Sequence, residues 1–419
     1  MADVRLLRNR RRRLEAGHPW VYRSEIESVR GEPATGDVVA VRNHQGHFLA
    51  RGFYHAESQI AVRAATYDES ERIDSGWLRR RVTRAWDFRK RFLAHPDACR
   101  AVYGEADGLP GLIVDKYGPV AVAQVLSAGL DRRREWLAPA LRDVLGVEAV
   151  FERSDAHARS LEGLPAASGW LLGDGPEEVE ILENGLRFAV DIAHGQKTGH
   201  FFDQRENRAA LAPLVRWAAD ERPRPDQRFR EGADGGAAPG RRGAEVLDCF
   251  AHTGAFSLHA LRYGAWRATL VEISEPALAR ARRNLELNGL AARAELAAAN
   301  AFDLLREYEA NGRAFDVVIL DPPAFAKHRE AVESALRGYK EINLRALRII
   351  RDRGFLVTAS CSSPIDRETF LAVVGEAALD ARRLLRRIEV RGAARDHPSL
   401  AGMPENDYLK FAVFEVSPR

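Results

Sequence analysis

The chain has 419 residues, 46% of them hydrophobic, and a formal net charge of +3 at pH 7. This length predicts two or three domains with sizeable cores, and the sequence contains no run of about 18 apolar residues that would predict a membrane span. Three widely separated cysteines argue against a disulfide framework or a zinc cluster, so we expect a cytoplasmic protein without a metal.

The N-terminal part of the chain predicts two modules. Residues 1–68 contain short β-rich segments separated by Gly and Asn, which indicates a small β-barrel. Residues 69–190 begin with a predicted helix from Ser75 to about Arg91 and continue with alternating strands and helices. This pattern indicates a central α+β domain.

Arginine is concentrated in both modules. Only six of the 63 basic residues are lysine. One cluster is Arg8 with residues 10–13, and a second lies along residues 79–91. Guanidinium groups pair with phosphate and stack on bases, so either cluster can bind nucleic acid; a solvated helix face explains each equally well.

Residues 191–419 predict an α/β domain. Short apolar runs, namely VLDCF, ATLVEI, FDVVIL and GFLVTAS, alternate with helical stretches, which is typical of a parallel sheet covered on both faces. We expect a helix capped by Ser274 and ended by Gly289. The last two strands are expected to form a hairpin with a short connection. Residues 221–244 are rich in Pro, Gly and Arg and predict a mobile surface insert.

Polar residues at the ends of these strands suggest a cofactor pocket. Asp248 ends the first strand and is followed by a turn at Thr253 and Gly254, while Glu272 ends the second; Phe250 is also expected to contact the cofactor. Ligands of open α/β sheets bind at this edge. The G-x-G-x-x-G pattern for a pyrophosphate is absent, which favours S-adenosylmethionine over a dinucleotide.

The third strand is expected to end near Asn300 and Ala301, where the adenine of this cofactor would lie. Each of these residues alone has an ordinary structural explanation, such as a helix cap. Their combination at this spacing is what favours a methyltransferase.

The fourth and fifth strands end in chemically distinctive segments. Asp321 begins an Asp-Pro-Pro sequence and Cys361 lies in SCSSP. A free cysteine is often only a core residue, but neighbouring strands would bring Cys361 and Asp321 to one crevice. A thiolate that adds to carbon 6 of a pyrimidine makes carbon 5 nucleophilic. The Asp321 carboxyl can share a proton with the ring nitrogen of cytosine. Ser362 and Ser363 have no assigned role, and a cap of the next helix is the ordinary explanation for them.

Several motifs together resemble the bacterial family of large-subunit ribosomal RNA 5-methylcytosine methyltransferases. They are GHPWVYRSEI, GEADGLPGLIVDKYG, HGQKTGHFFDQRENR, VLDCFAHTGAFSL, DPPAF, SCSSP and DHPSLAGMPENDYLK. The resemblance implies an N-terminal PUA domain, a central domain and a Rossmann-like class I methyltransferase domain. It also implies S-adenosylmethionine as donor and a cytosine of 23S rRNA as target.

The resemblance also implies roles for individual residues. Asp248, Glu272, Asp321 and Gln204 would line the cofactor site, and Cys361 would be the nucleophile. Ala324 stands where a different family of RNA cytosine methyltransferases has a product-release cysteine, so the base must come from elsewhere. Glu405 and His397 are candidates for that base, with a loop residue that satisfies the backbone as the alternative for each. A homodimer is compatible with the sequence.

Other functions stay open from the sequence. The methyl group could go to carbon 5 of uridine or to a base amino group. However, enzymes of the amino type carry an aromatic residue directly after Pro-Pro, where this chain has Ala324. A non-catalytic RNA-binding protein would leave the strand-end residues unexplained. A small-molecule methyltransferase would have no use for the long N-terminal extension with its basic clusters.

Overall fold

The computed structural model describes residues 2–193, 195, 198–221 and 243–419. Nearly all of the predicted insert at 221–244, together with Lys197, lies outside these residues. The chain divides into two compact units, of which the first comprises Met1–Ile181, Val190–Asp203 and Ala394–Asn406. The second comprises Leu182–Ala189, Gln204–Ala393 and Asp407–Arg419. The boundaries at 68 and 190 stay predictions.

A six-stranded sheet begins the first unit. Its strands are β1 (Asp3–Leu6), β2 (Trp20–Tyr22), β3 (Ile26–Arg30), β4 (Val38–Arg42), β5 (Phe48–Tyr54) and β6 (Ile60–Thr66). Their order in the sheet is β2-β6-β5-β4-β1-β3, with β1 and β4 parallel. β-Branched residues such as Val4, Val41 and Val62 fill its core, because such side chains pack well on a pleated surface.

A second sheet and four α-helices follow in this unit. The strands are β7 (Ala98–Tyr103), β8 (Leu112–Tyr117), β9 (Val120–Val125), β10 (Ala149–Ser154) and β11 (Ala167–Leu172), in the order β11-β10-β9-β8-β7. The helices are α1 (Ser75–Phe92), α2 (Ala128–Asp131), α3 (Leu137–Leu145) and α4 (His157–Ser160). Asp74 caps α1 by accepting from the Trp77 N–H at 2.8 Å, which explains where the predicted helix begins.

Strands β12 (Glu178–Glu183) and β13 (Leu186–Asp191) form a small sheet of their own. The second unit continues with a seven-stranded sheet. It contains β14 (Glu245–Cys249), β15 (Arg267–Glu272), β16 (Ala294–Ala298), β17 (Phe315–Leu320), β18 (Ile350–Ser360), β19 (Arg383–Arg391) and β20 (Lys410–Pro418).

The order of these seven strands is β16-β15-β14-β17-β18-β20-β19. The first five are parallel, and β20 is antiparallel to both of its neighbours. The strand order switches sides at β14. The chain continues from β14 to β15 and β16 on one side and then returns to β17 and β18 on the other. Such a switch point opens a crevice at the carboxyl ends of the strands.

Seven helices accompany this sheet: α5 (Arg205–Ala209), α6 (Leu211–Glu221), α7 (Ala255–Arg262), α8 (Glu275–Leu287), α9 (Ala301–Ala310), α10 (Val332–Ile349) and α11 (Arg367–Asp380). Helix α8 has the predicted signals, because the Ser274 hydroxyl accepts from the Ala277 N–H and Gly289 follows with φ of 65°. Every helix in the described part of the chain is too short or too polar to cross a bilayer.

Two sequence predictions about this unit are wrong. Strands β19 and β20 pair antiparallel as expected, but the connection between them is long and not short, because it comprises residues 392–409. Its residues Ala394–Asn406 belong to the first unit. Ser362 does not cap α11, because Asp366 does so by accepting from the Thr369 N–H at 2.7 Å. Ser362 is instead fully buried, where a cap would be exposed.

Candidate active site

The carboxyl ends of β14, β15, β17 and β18 bring the predicted site residues to one edge of the sheet. In the parallel ladders Asp248 lies opposite Leu270 and Ile319, and Leu320 lies opposite Thr358. Asp321 and Cys361 therefore follow neighbouring strand ends, as the sequence indicated. The edge combines three carboxyl groups with one thiol.

Asp248 is almost fully buried, with 1% of its surface exposed. Its Oδ2 accepts from both the N–H and the hydroxyl of Ser257, at 3.0 and 2.7 Å. Its Oδ1 is buried without a hydrogen-bond partner among the described residues. Burial, with smaller contributions from Asp321 and Glu272, raises the pKa of Asp248 to about 7.

A tight turn follows Asp248. Phe250, His252 and Gly254 have φ values of 64°, 49° and 79°. At Gly254 an added Cβ would lie 2.9 Å from Cδ2 of Leu270, so both the left-handed backbone and the space require glycine. The turn thus brings the N-terminus of α7 close against β15.

Glu272 holds this turn in place. Its Oε2 accepts from the His252 N–H and its Oε1 from the Ser274 N–H, both at 3.0 Å. Each carboxylate oxygen has a second lone pair for a ligand. Glu272 is only partly buried, so a ligand hydroxyl can reach it. At the third strand end, the Asn300 side chain caps α9 by accepting from the Phe302 N–H at 2.9 Å.

Three aromatic rings pack beside the turn. The ring centroid of Phe302 lies 6.3 Å from that of Phe250 and 5.9 Å from that of Phe325. Phe325 also packs on Tyr339 at 4.7 Å. Ala301, at the start of α9, is buried. Phe250 and Phe302 thus form an apolar wall at this edge of the sheet, which suits the flat face of a nucleobase.

Gln204 and Asp321 are hydrogen bonded. Gln204 Nε2 donates to Asp321 Oδ1 at 2.8 Å, and Gln204 Oε1 accepts from Asn207 Nδ2 at 2.6 Å. Asn207 also donates to the Gly392 carbonyl at 3.1 Å. These hydrogen bonds orient the Asp321 carboxyl. Gln204 therefore supports Asp321 in addition to any contact with a cofactor.

Cys361 differs from the other two cysteines in exposure. Cys99 and Cys249 are 0% and 1% exposed, whereas Cys361 is partly exposed. Its Sγ lies 3.8 Å from the carbonyl oxygen of Pro322, within the Asp-Pro-Pro segment. Burial raises the pKa of the Cys249 thiol far above its ordinary value, so Cys249 is unreactive.

A buried polar network surrounds the loop that carries Cys361. Tyr339 Oη lies 2.9 Å from the hydroxyl oxygens of Ser360 and Ser362, and Ser362 Oγ accepts from the Ala326 N–H at 3.0 Å. Lys410 Nζ donates to the carbonyls of Ser362 and Tyr408, both at 2.7 Å. These bonds link the loop to α10 and to β20.

The two candidate bases belong to the first unit. His397 is buried, packs on the ring of Tyr103 at 5.1 Å, and has Nδ1 2.8 Å from Asp396 Oδ1. Glu405 Oε2 lies 3.3 Å from His18 Nε2. Neither pairing tests a role in catalysis, so both residues stay proposals.

The second arginine cluster is not a single basic face. Arg89 is fully buried, where it pairs with Asp107 at 2.6 Å and donates to the Asp396 carbonyl at 2.8 Å. Arg81 pairs with Glu71 at 2.7 Å. Some members of the cluster therefore stabilise the unit instead of facing solvent.

Four supporting residues were missed by sequence reasoning: Ser257, Asn207, Tyr339 and Lys410. For Lys410 a signal was present, because a lysine at the start of the apolar strand KFAVF is costly to bury without a role. The others contact the site only through the tertiary fold.

Comparison with known proteins agrees with this architecture. Residues 4–67 match the family model of a PUA-like domain, and residues 216–355 match the model described as conserved hypothetical protein 95. The structure resembles a SAM-dependent methyltransferase of Streptococcus mutans, with a TM-score of 0.79 and 19% identity over 99% of this chain and 100% of the other. A methyltransferase complexed with SAH gives 0.80 and 20% over the same shares. These likenesses confirm the predicted fold class.

Curated sequences are more similar. Ribosomal RNA large subunit methyltransferase I of Shewanella amazonensis is 39% identical over 417 residues, covering 99% of both chains. The protein of the same name from Photobacterium profundum is 39% identical over 418 residues, covering 98% of this chain and 99% of its own.

Proposed function

Because the chain belongs to the family of ribosomal RNA large subunit methyltransferase I, we propose that it transfers a methyl group from S-adenosylmethionine to carbon 5 of a cytosine in 23S rRNA. The transfer proceeds through a covalent adduct with Cys361. The observation that carries the proposal is the partly exposed Cys361 thiol, 3.8 Å from the backbone of the Asp-Pro-Pro segment.

The residues at the sheet edge fit S-adenosylmethionine. Asp248 has a buried oxygen without a hydrogen-bond partner in the described chain, beside a turn that Gly254 keeps close to the sheet. Glu272 is in place to accept from ribose hydroxyls, and Phe250 and Phe302 provide an apolar wall. When bound, the cofactor supplies the methyl group as its carbon–sulfonium bond breaks.

The chain's own residues prepare the base. The Cys361 thiolate forms a bond to carbon 6 of the ring, and the displaced electron pair makes carbon 5 nucleophilic. Asp321, oriented by Gln204, shares a proton with ring nitrogen 3 and so offsets the developing negative charge. A base then removes the carbon 5 proton, the double bond re-forms and the thiolate leaves. Glu405 and His397 stay the candidates for this base.

The environment of Phe325 argues against methylation of a base amino group. That chemistry needs an aromatic ring free to stack on the substrate. Here the Phe325 ring packs on Tyr339 at 4.7 Å and on Phe302 at 5.9 Å, and it lies partly buried against the apolar core. A base that enters the site must also be unpaired or flipped out of a helix, because carbon 6 is inaccessible in a stack.

The test uses rRNA from cells that lack this protein, with S-adenosylmethionine as donor. We expect the wild-type protein to produce 5-methylcytidine, measured by nucleoside mass spectrometry and located by bisulfite sequencing. Cys361→Ala should abolish it, while the matched variant Cys99→Ala should retain it, since Cys99 lies in the sheet of the first unit.

Trapping of the adduct gives an independent readout. RNA that contains 5-fluorocytidine should form a denaturation-stable complex with the wild-type protein and none with Cys361→Ala. Fluorine at carbon 5 blocks the release step. Full methylation by Cys361→Ala would contradict the covalent mechanism. A product of 5-methyluridine or an N-methylated base would overturn the assigned position, and binding of RNA without methylation would indicate a non-catalytic role.

A further inference from the structure

Lys410 is buried directly beside the loop of Cys361. Its backbone pairs with Ser360, the residue before the cysteine, in the antiparallel ladder of β18 and β20. Its Nζ donates at 2.7 Å to the carbonyl of Ser362, the residue after the cysteine. Only 1% of the Lys410 surface is exposed. Lys410 thus contacts the chain on both sides of Cys361.

We propose that Lys410 is a positioning residue for the Cys361 nucleophile. The buried ammonium group of Lys410 holds the 360–362 loop and stabilises the Cys361 thiolate. The inference rests on the proposed role of Cys361 as nucleophile. The inference concerns the ionisation of the Cys361 thiol before the covalent adduct forms and after it breaks down. In this role Lys410 contacts no reacting atom.

The burial of Lys410 calls for a specific compensation. An isolated ammonium is costly to bury in an apolar interior. Two of its three N–H groups bond to the carbonyls of Ser362 and Tyr408, and the third has no hydrogen-bond partner in the described part of the chain. Two neutral carbonyls could be satisfied equally by a neutral donor. The positive charge is favoured by the negative charges near it, which are Asp366, Asp407 and, when it is ionised, Cys361.

The charge of Lys410 has the right sign near neutral pH. Burial lowers the pKa of Lys410 to about 8, and a negative Cys361 is the largest influence in the opposite direction. The group remains mostly protonated at pH 7, and a nearby cation favours thiolate over thiol. Other charged or titratable groups that influence this pair come from neighbouring elements: Asp366, Arg367, Asp407 and Tyr339.

The surrounding network fixes the loop so that the charge acts at one place. Tyr339 bonds to the hydroxyls of Ser360 and Ser362 at 2.9 Å. The Ala326 N–H bonds to Ser362 from the segment after Asp-Pro-Pro. With the backbone held at residues 360 and 362, Cys361 between them has little freedom to move away.

The same charge serves both ends of the reaction. When the sulfur–carbon 6 bond forms, the thiolate donates its electron pair; when the bond breaks after loss of the carbon 5 proton, the pair returns to sulfur. A stabilised thiolate is a better leaving group in the second step. Lys410 keeps its proton throughout, and the one proton released, from carbon 5, goes to the base.

The experiment measures the thiol pKa of Cys361 in the full-length protein without RNA. Iodoacetamide alkylation is followed from pH 5.5 to 9.5 by mass spectrometry of the Cys361 peptide, in the wild type, Lys410→Met and Lys410→Arg. Lys340→Met is the matched control, because Lys340 is a partly exposed lysine that pairs with Glu376 and Asp380. Thermal melting checks that each variant is folded.

We expect the wild-type midpoint to lie below the ordinary cysteine value of about 8.5. Lys410→Met should raise it by about one unit, which slows alkylation at pH 7 about tenfold. Lys410→Arg should restore the rate to within about threefold and Lys340→Met should not change it. An unchanged midpoint in Lys410→Met overturns the proposal. If that variant does not fold, a wild-type midpoint at or above about 8.5 overturns it.

This readout separates the two proposals. Retained methylation by Cys361→Ala would refute the nucleophile and leave the measured effect of Lys410 on the thiol intact. A thiol that ignores Lys410, together with an inactive Cys361→Ala, would refute only the role of Lys410.

Discussion

The buried carboxyl of Asp248 should make the stability of this protein depend on pH in an unusual direction. Burial raises its folded-state pKa to about 7, whereas the unfolded chain has the ordinary value of about 3.9. Between these values the folded state holds a proton that the unfolded state has lost. The contribution of Asp248 therefore favours folding at low pH and is progressively lost as the pH rises toward 7 and beyond.

The magnitude follows from the linkage relation. With these two pKa values, ionisation of Asp248 weakens folding by about 4 kcal/mol at pH 8 and about 2 kcal/mol at pH 5.5. Asp248→Asn removes the titration while its side-chain oxygen can still accept from Ser257. The stability of Asp248→Asn relative to the wild type should thus increase by about 2 kcal/mol between pH 5.5 and pH 8.

Thermal melting of both proteins at the two pH values measures this change. For a unit of about 200 residues, 2 kcal/mol corresponds to a shift of about 4–8 °C in Tm. Asp303→Asn is the control for the loss of a carboxylate, because the Asp303 side chain is 73% exposed and its replacement should change Tm little. A Tm difference between wild type and Asp248→Asn that is equal at both pH values would refute the reasoning.

Three further substitutions have definite expectations. Gly254→Ala should destabilise the protein by about 1–3 kcal/mol, because residue 254 has a left-handed φ and the new Cβ would lie 2.9 Å from Leu270. Thermal melting measures this, and the control Gly375→Ala in α11 should be neutral or stabilising. Equal effects of the two substitutions would contradict this. Arg89→Met leaves the Asp107 carboxylate buried without its cation and should lower the free energy of unfolding, measured with denaturant, by about 3–5 kcal/mol. A loss under about 1 kcal/mol would contradict the importance of this buried ion pair. Gln204→Leu should lower kcat/KM about tenfold without changing Tm by more than a few degrees, because it removes a hydrogen bond that orients Asp321. An unchanged kcat/KM would contradict the orienting role.

The sequence was sufficient for the parts of this protein that local patterns encode. Apolar runs and capping residues predicted the parallel strands and helix α8, because hydrophobic period and cap chemistry act over a few residues. Since parallel strands end at one edge, the sequence alone assigns the residues after each run to the same crevice. That reasoning accounts for Asp248, Glu272, Asp321 and Cys361.

Only the tertiary structure decided what each of these groups contacts. Arg89 and Arg81 looked alike in the sequence, yet Arg89 is fully buried and bonds to the carbonyl of Asp396, 307 positions away. The sequence predicted a short connection between β19 and β20, because no local residue pattern shows that this segment belongs to the other unit. Lys410, in β20, lies beside Cys361, which directly follows β18, only because β20 enters the sheet antiparallel beside β18. Hydrogen bonds and charge pairs between distant segments depend on the final packing, and no local pattern of residues records them.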